Sequence, residues 1–309
     1  MNGSDASRME GEKGPVREGE GASPPRGGPP WFRWVRPLLL LLGFLLLLHL
    51  MISPRLAESL LFIPDRTDPG PPPTLAGVAG ENVTLATGDG MEVHGWWFEA
   101  EPGAPAVLFL HGNAGTIGDR RFQAEGMLRE GISILLLSYR GYGRSEGSPS
   151  EEGVARDADA ALAWVAERAG GAGRVVIHGR SLGGAVGAPL AVRSPEVAGV
   201  ILESTFTDLV EMARAVYPFL PRFLLRRLRG HYDARSAAPE ITAPVLVIHG
   251  ERDRLIPVEM GRALRDAASG DARYWEVPGA GHNDLPWVAG AEYFSRVADF
   301  VREAVEEGK

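Results

Sequence analysis

The sequence predicts an α/β domain, a mostly parallel sheet covered by helices on both faces. Three observations carry this. The runs AVLFL (106–110), SILLLSY (133–139), GVILE (199–203) and VLVIHG (245–250) are apolar through their middles, as strands buried on both faces are. Between them, VARDADAALAWVAERA (154–169) spaces Ala158, Ala161, Leu162 and Val165 at helical intervals. Ahead of them, VTLA (83–86) and MEVHGWWF (91–98) flank Gly88-Asp89-Gly90, a strong hairpin signal that adds antiparallel strands at one edge.

Taken from the N-terminus, residues 1–30 are Gly, Pro, Ser and charge with almost no large apolar side chain. Such a segment buries too little surface to offset its ordering entropy and is expected to be a disordered tail. Residues 31–54 contain an apolar run, 38–52, that would rise about 22 Å as a helix, against roughly 30 Å for a hydrocarbon core. Trp31, Phe32, Trp34 and Val35 extend the run, and Arg33 and Arg36 can reach an interface. The segment is read as a transmembrane signal-anchor helix; a cleaved signal peptide and a core helix are the alternatives. Arg26, Arg33 and Arg36 precede the run and only Arg55 and Arg66 follow closely. That bias predicts a single-pass protein with its N-terminus in the cytoplasm and its main domain outside it. Residues 55–80, rich in Pro and Gly, read as a linker, and 81–309 as the folded domain.

Within that domain a helix is expected around 120–130. RVVIH (174–178) reads as a strand, followed by a small-residue helix from Leu182. Further on come a helix near 258–268, the strand RYWEVP (273–278) and a last helix near 291–306. In open α/β sheets sites form beyond the carboxyl ends of the strands. The loops after Leu110, His178, Gly250 and Pro278 are therefore where chemistry is to be sought.

Composition removes several functions. A net charge of −8 with no Lys/Arg-rich run argues against a nucleic-acid partner. The absence of cysteine excludes disulfides, a thiolate nucleophile and Cys-based metal sites. Neither G-x-x-x-x-G-K-[ST] nor a G-x-G-x-x-G between strand and helix is present, and the seven histidines lack metal-ligand spacing. No cofactor and no metal are expected.

The pentapeptide G-x-S-x-G occurs twice, as GRSEG (143–147) and GRSLG (179–183). A nucleophile elbow needs a strand, a tight turn and a helix whose first N–H groups face a developing oxyanion. Ser181 has RVVIH before it and LGGAVGAPLAVRS after it, whereas Ser145 is followed by the loop-like EGSPSEEG. Ser181 is the candidate nucleophile; Ser145 reads as part of a glycine-rich connection. Pro189 falls inside the helix after Ser181 and should kink it. A serine hydroxyl needs a base within reach and a carboxylate to orient that base. Of the histidines beyond Ser181, His249 ends a strand and reads as packed, and His231 falls outside the strand-end loops. His282, on the glycine-flanked loop of PGAGHND, is the candidate base. Asp253, directly after VLVIHGER, is the candidate acid, although the same position suits a turn or helix-capping aspartate. The oxyanion hole is assigned to the backbone N–H groups of Leu182 and Asn113, the latter in HGNAG (111–115).

Together, HGNAG, SYRGYGRSEG, GRSLGG, HGERDRLIP and GAGHND resemble the α/β-hydrolase superfamily, over about residues 60–301 including LLFIPDR. The likeness is strongest to its membrane-anchored subgroup of protein depalmitoylases and lysophospholipid or monoacylglycerol lipases. The resemblance implies an eight-stranded sheet, a small helical cap at about 205–240, and catalysis by Ser181, Asp253 and His282. It also implies that GRSEG is a family loop. The cap sequence AVYPFLPRFLLRRLRGHY (215–232) mixes aromatic and aliphatic residues with Arg222, Arg226, Arg227 and Arg229. It reads either as an ordinary amphipathic cap with a solvated basic face or as a dock for anionic lipid. The expected activity is hydrolysis of carboxylic esters or thioesters of small-molecule or lipid acyl substrates, through an acyl-enzyme. A serine peptidase of the same fold and a non-catalytic membrane-tethered binding protein are the competing expectations.

Overall fold

The computed structural model describes residues 32–51, 60–219 and 221–307. The expected disordered tail, the end of the expected membrane span (52–54) and the start of the expected linker (55–59) lie outside the described residues. The described residues divide into two units, with the boundary between Leu46 and Leu47.

Helix α1, Phe32–Met51, occupies most of the segment read as an anchor. Its first turns carry two arginines and Pro37, so the apolar part starts only at Leu38. Among the described residues no helix is long and apolar enough to cross a membrane. Residues 31 and 52–54 of the single-pass span expected over 31–54 lie outside the described residues, and the described apolar stretch alone is shorter than a bilayer core.

In the larger unit, eight strands form one sheet: β1 (Glu81–Ala86), β2 (Glu92–Phe98), β3 (Ala106–Leu110), β4 (Ser133–Ser138), β5 (Val175–Arg180), β6 (Gly199–Glu203), β7 (Val245–Gly250) and β8 (Ala272–Val277). Their order is β1-β2-β4-β3-β5-β6-β7-β8. The two pairings of β2 are antiparallel; all others in this sheet are parallel. The eight-stranded, mostly parallel sheet is the α/β-hydrolase fold that the motifs resemble.

Successive strand residues serve opposite faces, which is why β3 is apolar throughout. Leu108 and Leu110 join one core with Val154, Ala158 and Val165 of α3 (Glu151–Ala169) and Leu190 of α4 (Leu182–Arg193). Val107 and Phe109 join the other, with Met127 of α2 (Arg121–Arg129) and Val297 and Val301 of α8 (Ala291–Glu307). The sheet changes direction at β3: the chain goes to β4 on one side and returns with β5 on the other. The loops after β3 and β5 therefore meet at a topological switch point, where open α/β sheets build their sites.

Residues 60–80 are not a free linker. Ile63–Pro64 pairs in parallel with Ala114–Gly115, and Thr74–Leu75 forms a small ladder with Val78–Ala79. Phe62 is buried, edge-on to Tyr232 of the cap at 6.0 Å between ring centroids. Proline-rich sequence here gives an extended chain already set for such pairing, not a flexible tether. Between β6 and β7 lies the cap: α5 (Leu209–Val216), a 3-10 turn at Arg222–Leu228 and two short turns, Ala234–Ala237 and Ala238–Glu240. Two further α-helices are α6 (Val258–Ala267) and α7 (Leu285–Ala289).

Candidate active site

Ser181 stands between the last residue of β5 and the first of α4, with φ 54° and ψ −119°. A non-glycine residue there is strained, and it persists only where its surroundings over-determine it. Two bonds do so: the Ser181 N–H donates to the Glu203 carbonyl at 2.8 Å, and the Thr205 hydroxyl donates to the Ser181 carbonyl at 2.6 Å. The flanking glycines serve packing. A Cβ on Gly179 would strike the backbone of Gly183, and one on Gly183 would strike the Leu110 carbonyl. Only bare backbone lets the turn close this tightly against β3.

His282 follows the turn at Gly279 (φ +75°) on the loop after β8. Its Nε2 is 3.1 Å from Ser181 Oγ and its Nδ1 2.7 Å from Asp253 Oδ2. With Nδ1–H donated to the carboxylate, the Nε2 lone pair is left to accept the serine hydroxyl proton. The Asp253 side chain is buried and nearly saturated. Its Oδ1 accepts the N–H groups of Leu255 and Ile256, each at 2.8 Å. Its Oδ2 faces His282, and His249 Nε2 lies 3.4 Å away while bonded to the Ile256 carbonyl at 3.0 Å. Burial alone would raise the Asp253 pKa. The two histidines and the Ile256 N–H outweigh it and hold the carboxyl well below the usual range. The aspartate also makes the turn contacts that its position allows, so the capping and orienting readings describe the same side chain.

The loop after β3 runs alongside Ser181: a Cβ on Gly112 would sit 3.4 Å from Ser181 Cβ. The Asn113 carbonyl accepts from the Ile63 N–H (3.0 Å) and the Tyr142 hydroxyl (2.7 Å), and its carboxamide donates to the Leu61 carbonyl (2.9 Å). What Asn113 retains for a ligand is its backbone N–H. Leu182 opens α4, so its N–H has no acceptor within the helix. His111 is buried and bonds the Gly112 carbonyl through Nδ1 at 2.6 Å. Burial, then the charge of Arg120, push its pKa down to about 3, which suits a neutral organiser of the loop.

Ser145 is elsewhere and committed: its buried hydroxyl donates to the Ser138 carbonyl at 2.7 Å and accepts the His94 N–H at 2.8 Å. His231 lies in the cap, 2.6 Å from Glu151. The structure thus brings Ser181, His282 and Asp253 into one hydrogen-bonded line and sets the Asn113 loop beside it. Among the described residues no His/Asp/Glu group has the make-up of a metal site. Sequence reasoning missed the groups beneath the elbow, Arg180, Glu203, His178 and Tyr293. A signal existed for Glu203, a carboxylate closing an otherwise apolar strand.

Residues 105–229 match the α/β-hydrolase fold family. The chain is 36% identical over 233 residues to the α/β-hydrolase domain-containing protein WAV2 of Arabidopsis thaliana, covering 69% of this chain and 75% of that protein. It is 38% identical over 194 residues to the lysophosphatidylserine lipase ABHD12 of Danio rerio, covering 56% of this chain and 50% of that protein. The solved structure of the Pyrococcus furiosus esterase Pf2001 has a TM-score of 0.66 at 21% identity, covering 78% of this chain and 97% of the esterase chain. At that identity the likeness is one of fold.

Proposed function

We propose that this chain, which belongs to the α/β-hydrolase family, is a serine hydrolase that cleaves carboxylic ester or thioester bonds of acyl substrates. The observation that carries the proposal is the line Ser181 Oγ–His282 Nε2–Asp253, at 3.1 and 2.7 Å. His282 takes the Ser181 proton as Oγ attacks the acyl carbon, and Asp253 stabilises the imidazolium that forms. The backbone N–H groups of Asn113 and Leu182 receive the developing oxyanion. His282 then protonates the leaving alkoxide or thiolate, which leaves an acyl-enzyme on Ser181. Water, deprotonated by the same imidazole, releases the acid and restores the serine.

The zebrafish relative named as a lysophosphatidylserine lipase supports an acyl ester of an anionic lipid as substrate. The cap supports a lipid surface as the place of encounter. Val216, Tyr217, Phe219 and Phe223 are exposed. Arg226 and Arg229 are exposed too, and no described carboxylate lies in ion-pair range of either. Such a mixture of aromatic and basic side chains suits the boundary of an anionic membrane.

The test is labelling by a fluorophosphonate probe of wild type, Ser181→Ala and Ser145→Ala. Label lost only from Ser181→Ala is the expected result. Undiminished label on Ser181→Ala would refute the nucleophile assignment.

A further inference from the structure

We propose that Arg180 is a positioning residue for the base: it clamps the His282 loop to the same buried carboxylate that fixes the elbow. The inference rests on the serine-hydrolase reading and deepens it.

His282 lies in GAGHND, with Gly281 before it and Gly279 in a positive-φ turn. A loop of this composition has more backbone freedom than a base held to tenths of an ångström can tolerate. Asp253 fixes the ring at Nδ1, and the main chain before it is tied by the Gly279 N–H to Glu251, the Gly281 N–H to Asp284 and the Arg252 N–H to the Ala280 carbonyl. Arg180 adds the tie at the main chain of His282 itself. Its Nη2 donates to the His282 carbonyl at 3.3 Å and to Asn283 Oδ1 at 3.1 Å. Arg180 is in turn held from below, its Nε 3.2 Å from Glu203 Oε1, an ion pair without an aligned hydrogen bond.

Glu203 is the fixed point. It is fully buried, and its Oε2 accepts from His178 at 2.8 Å and from the Tyr293 hydroxyl at 2.6 Å. Those donors come from β5 and α8, so the carboxylate is tied to both a neighbouring strand and a helix packed on the sheet. Burial alone would raise its pKa; His178, Arg180 and Tyr293 outweigh this and hold it at about 2. The main chain of the same residue accepts the Ser181 N–H. Nucleophile and base are thus referenced to one residue, the serine through the Glu203 carbonyl and the histidine through its carboxylate and Arg180. Neither partner alone explains why a fully charged guanidinium should be buried at the residue before the nucleophile. A charge needed only to neutralise Glu203 would not also reach across to the carbonyl of the base.

Arg180→Lys separates positioning from neutralisation. It retains a cation beside Glu203, so the fold is expected to survive. A single ammonium has no planar fork to serve Glu203, the His282 carbonyl and Asn283 together. The expected result on a soluble ester is a fall in kcat of about ten- to a hundredfold with KM within about twofold. The rate of fluorophosphonate labelling should fall by the same factor. Asn283→Ala, which leaves the Arg180–Glu203 pair in place, should lower kcat by a smaller factor. In the double variant the two factors should not multiply, because both act through one loop. Wild-type kcat in both folded single variants overturns the proposal while leaving Ser181 as nucleophile. Labelling that persists in Ser181→Ala overturns the underlying reading instead, and with it the role given to Arg180.

Discussion

Replacing Asp253 by Asn would change one atom and should disable the base. The two carboxylate oxygens are not equivalent. Oδ1 accepts two backbone N–H groups, from Leu255 and Ile256. Turning the amide nitrogen toward them would leave two donors facing a donor, at about 1–3 kcal/mol for each group left unsatisfied. The asparagine must therefore keep its oxygen there and point its NH2 at His282. That NH2 can only donate, so His282 Nδ1 must become an acceptor and the ring proton moves to Nε2, opposite Ser181 Oγ. A protonated Nε2 cannot take the serine proton. Loss of the correct tautomer in such a triad costs about 10⁴ in kcat, or roughly 5 kcal/mol of transition-state stabilisation. The assay is kcat/KM on a p-nitrophenyl acyl ester, with thermal unfolding to establish that the variant is folded. A folded Asp253→Asn within about tenfold of wild type would show that Asp253 does not orient the base.

Two further outcomes follow from the burial and charge of particular groups. Burial pushes His111 down to about 3 and His94 to about 4, so the unfolded chain takes up protons near pH 6.5 that the folded chain refuses. Stability conferred above pH 6.5 is lost as pH falls toward those values, by about 1.4 kcal/mol per pH unit for each such group. His111→Gln should flatten the fall in unfolding temperature between pH 6.5 and 4.5, and an unchanged slope would contradict the assignment. Reversing Arg226 and Arg229 to Glu should lower turnover on phosphatidylserine vesicles by at least about tenfold, at about 1 kcal/mol per basic residue near such a surface. Turnover of a soluble ester should be spared; equal loss on both would remove the docking role of the cap.

What the sequence made legible follows from what repeats or has an order. The central strands announced themselves because burial on both faces forces an apolar run, the first two through their Asp-Gly hairpin, and five of the helices lie where periodicity or small-residue composition put them. The placement of Ser181, Asp253 and His282 needed only strand ends and chain order, since an open α/β sheet gathers its C-terminal loops at one edge. Residues 60–80 were misjudged for a physical reason. Phe62 and Leu75 are isolated in Pro/Gly-rich surroundings; Ile63–Pro64, next to Phe62, is ordered by pairing about 50 positions away, and Leu75 by burial in the core on one face of the sheet, neither of which a local pattern records. Whether the leucine-rich segment spans a membrane turns on its ends, where the apolar run gives way to arginines and Pro37 on one side and lies outside the described residues on the other. The Arg180–Glu203 network escaped for a subtler reason. Each member, read alone, is a charged residue beside a strand end, where solvent is the ordinary expectation. Their meaning lies in being buried together, and burial of a charge is a statement about its partners. A charged residue closing a wholly apolar strand is therefore itself a signal. It either marks the last residue before solvent or requires a counter-ion from another element. At β5 and β6 the second holds, with Arg180 and Glu203 as each other's requirement, directly beneath the serine.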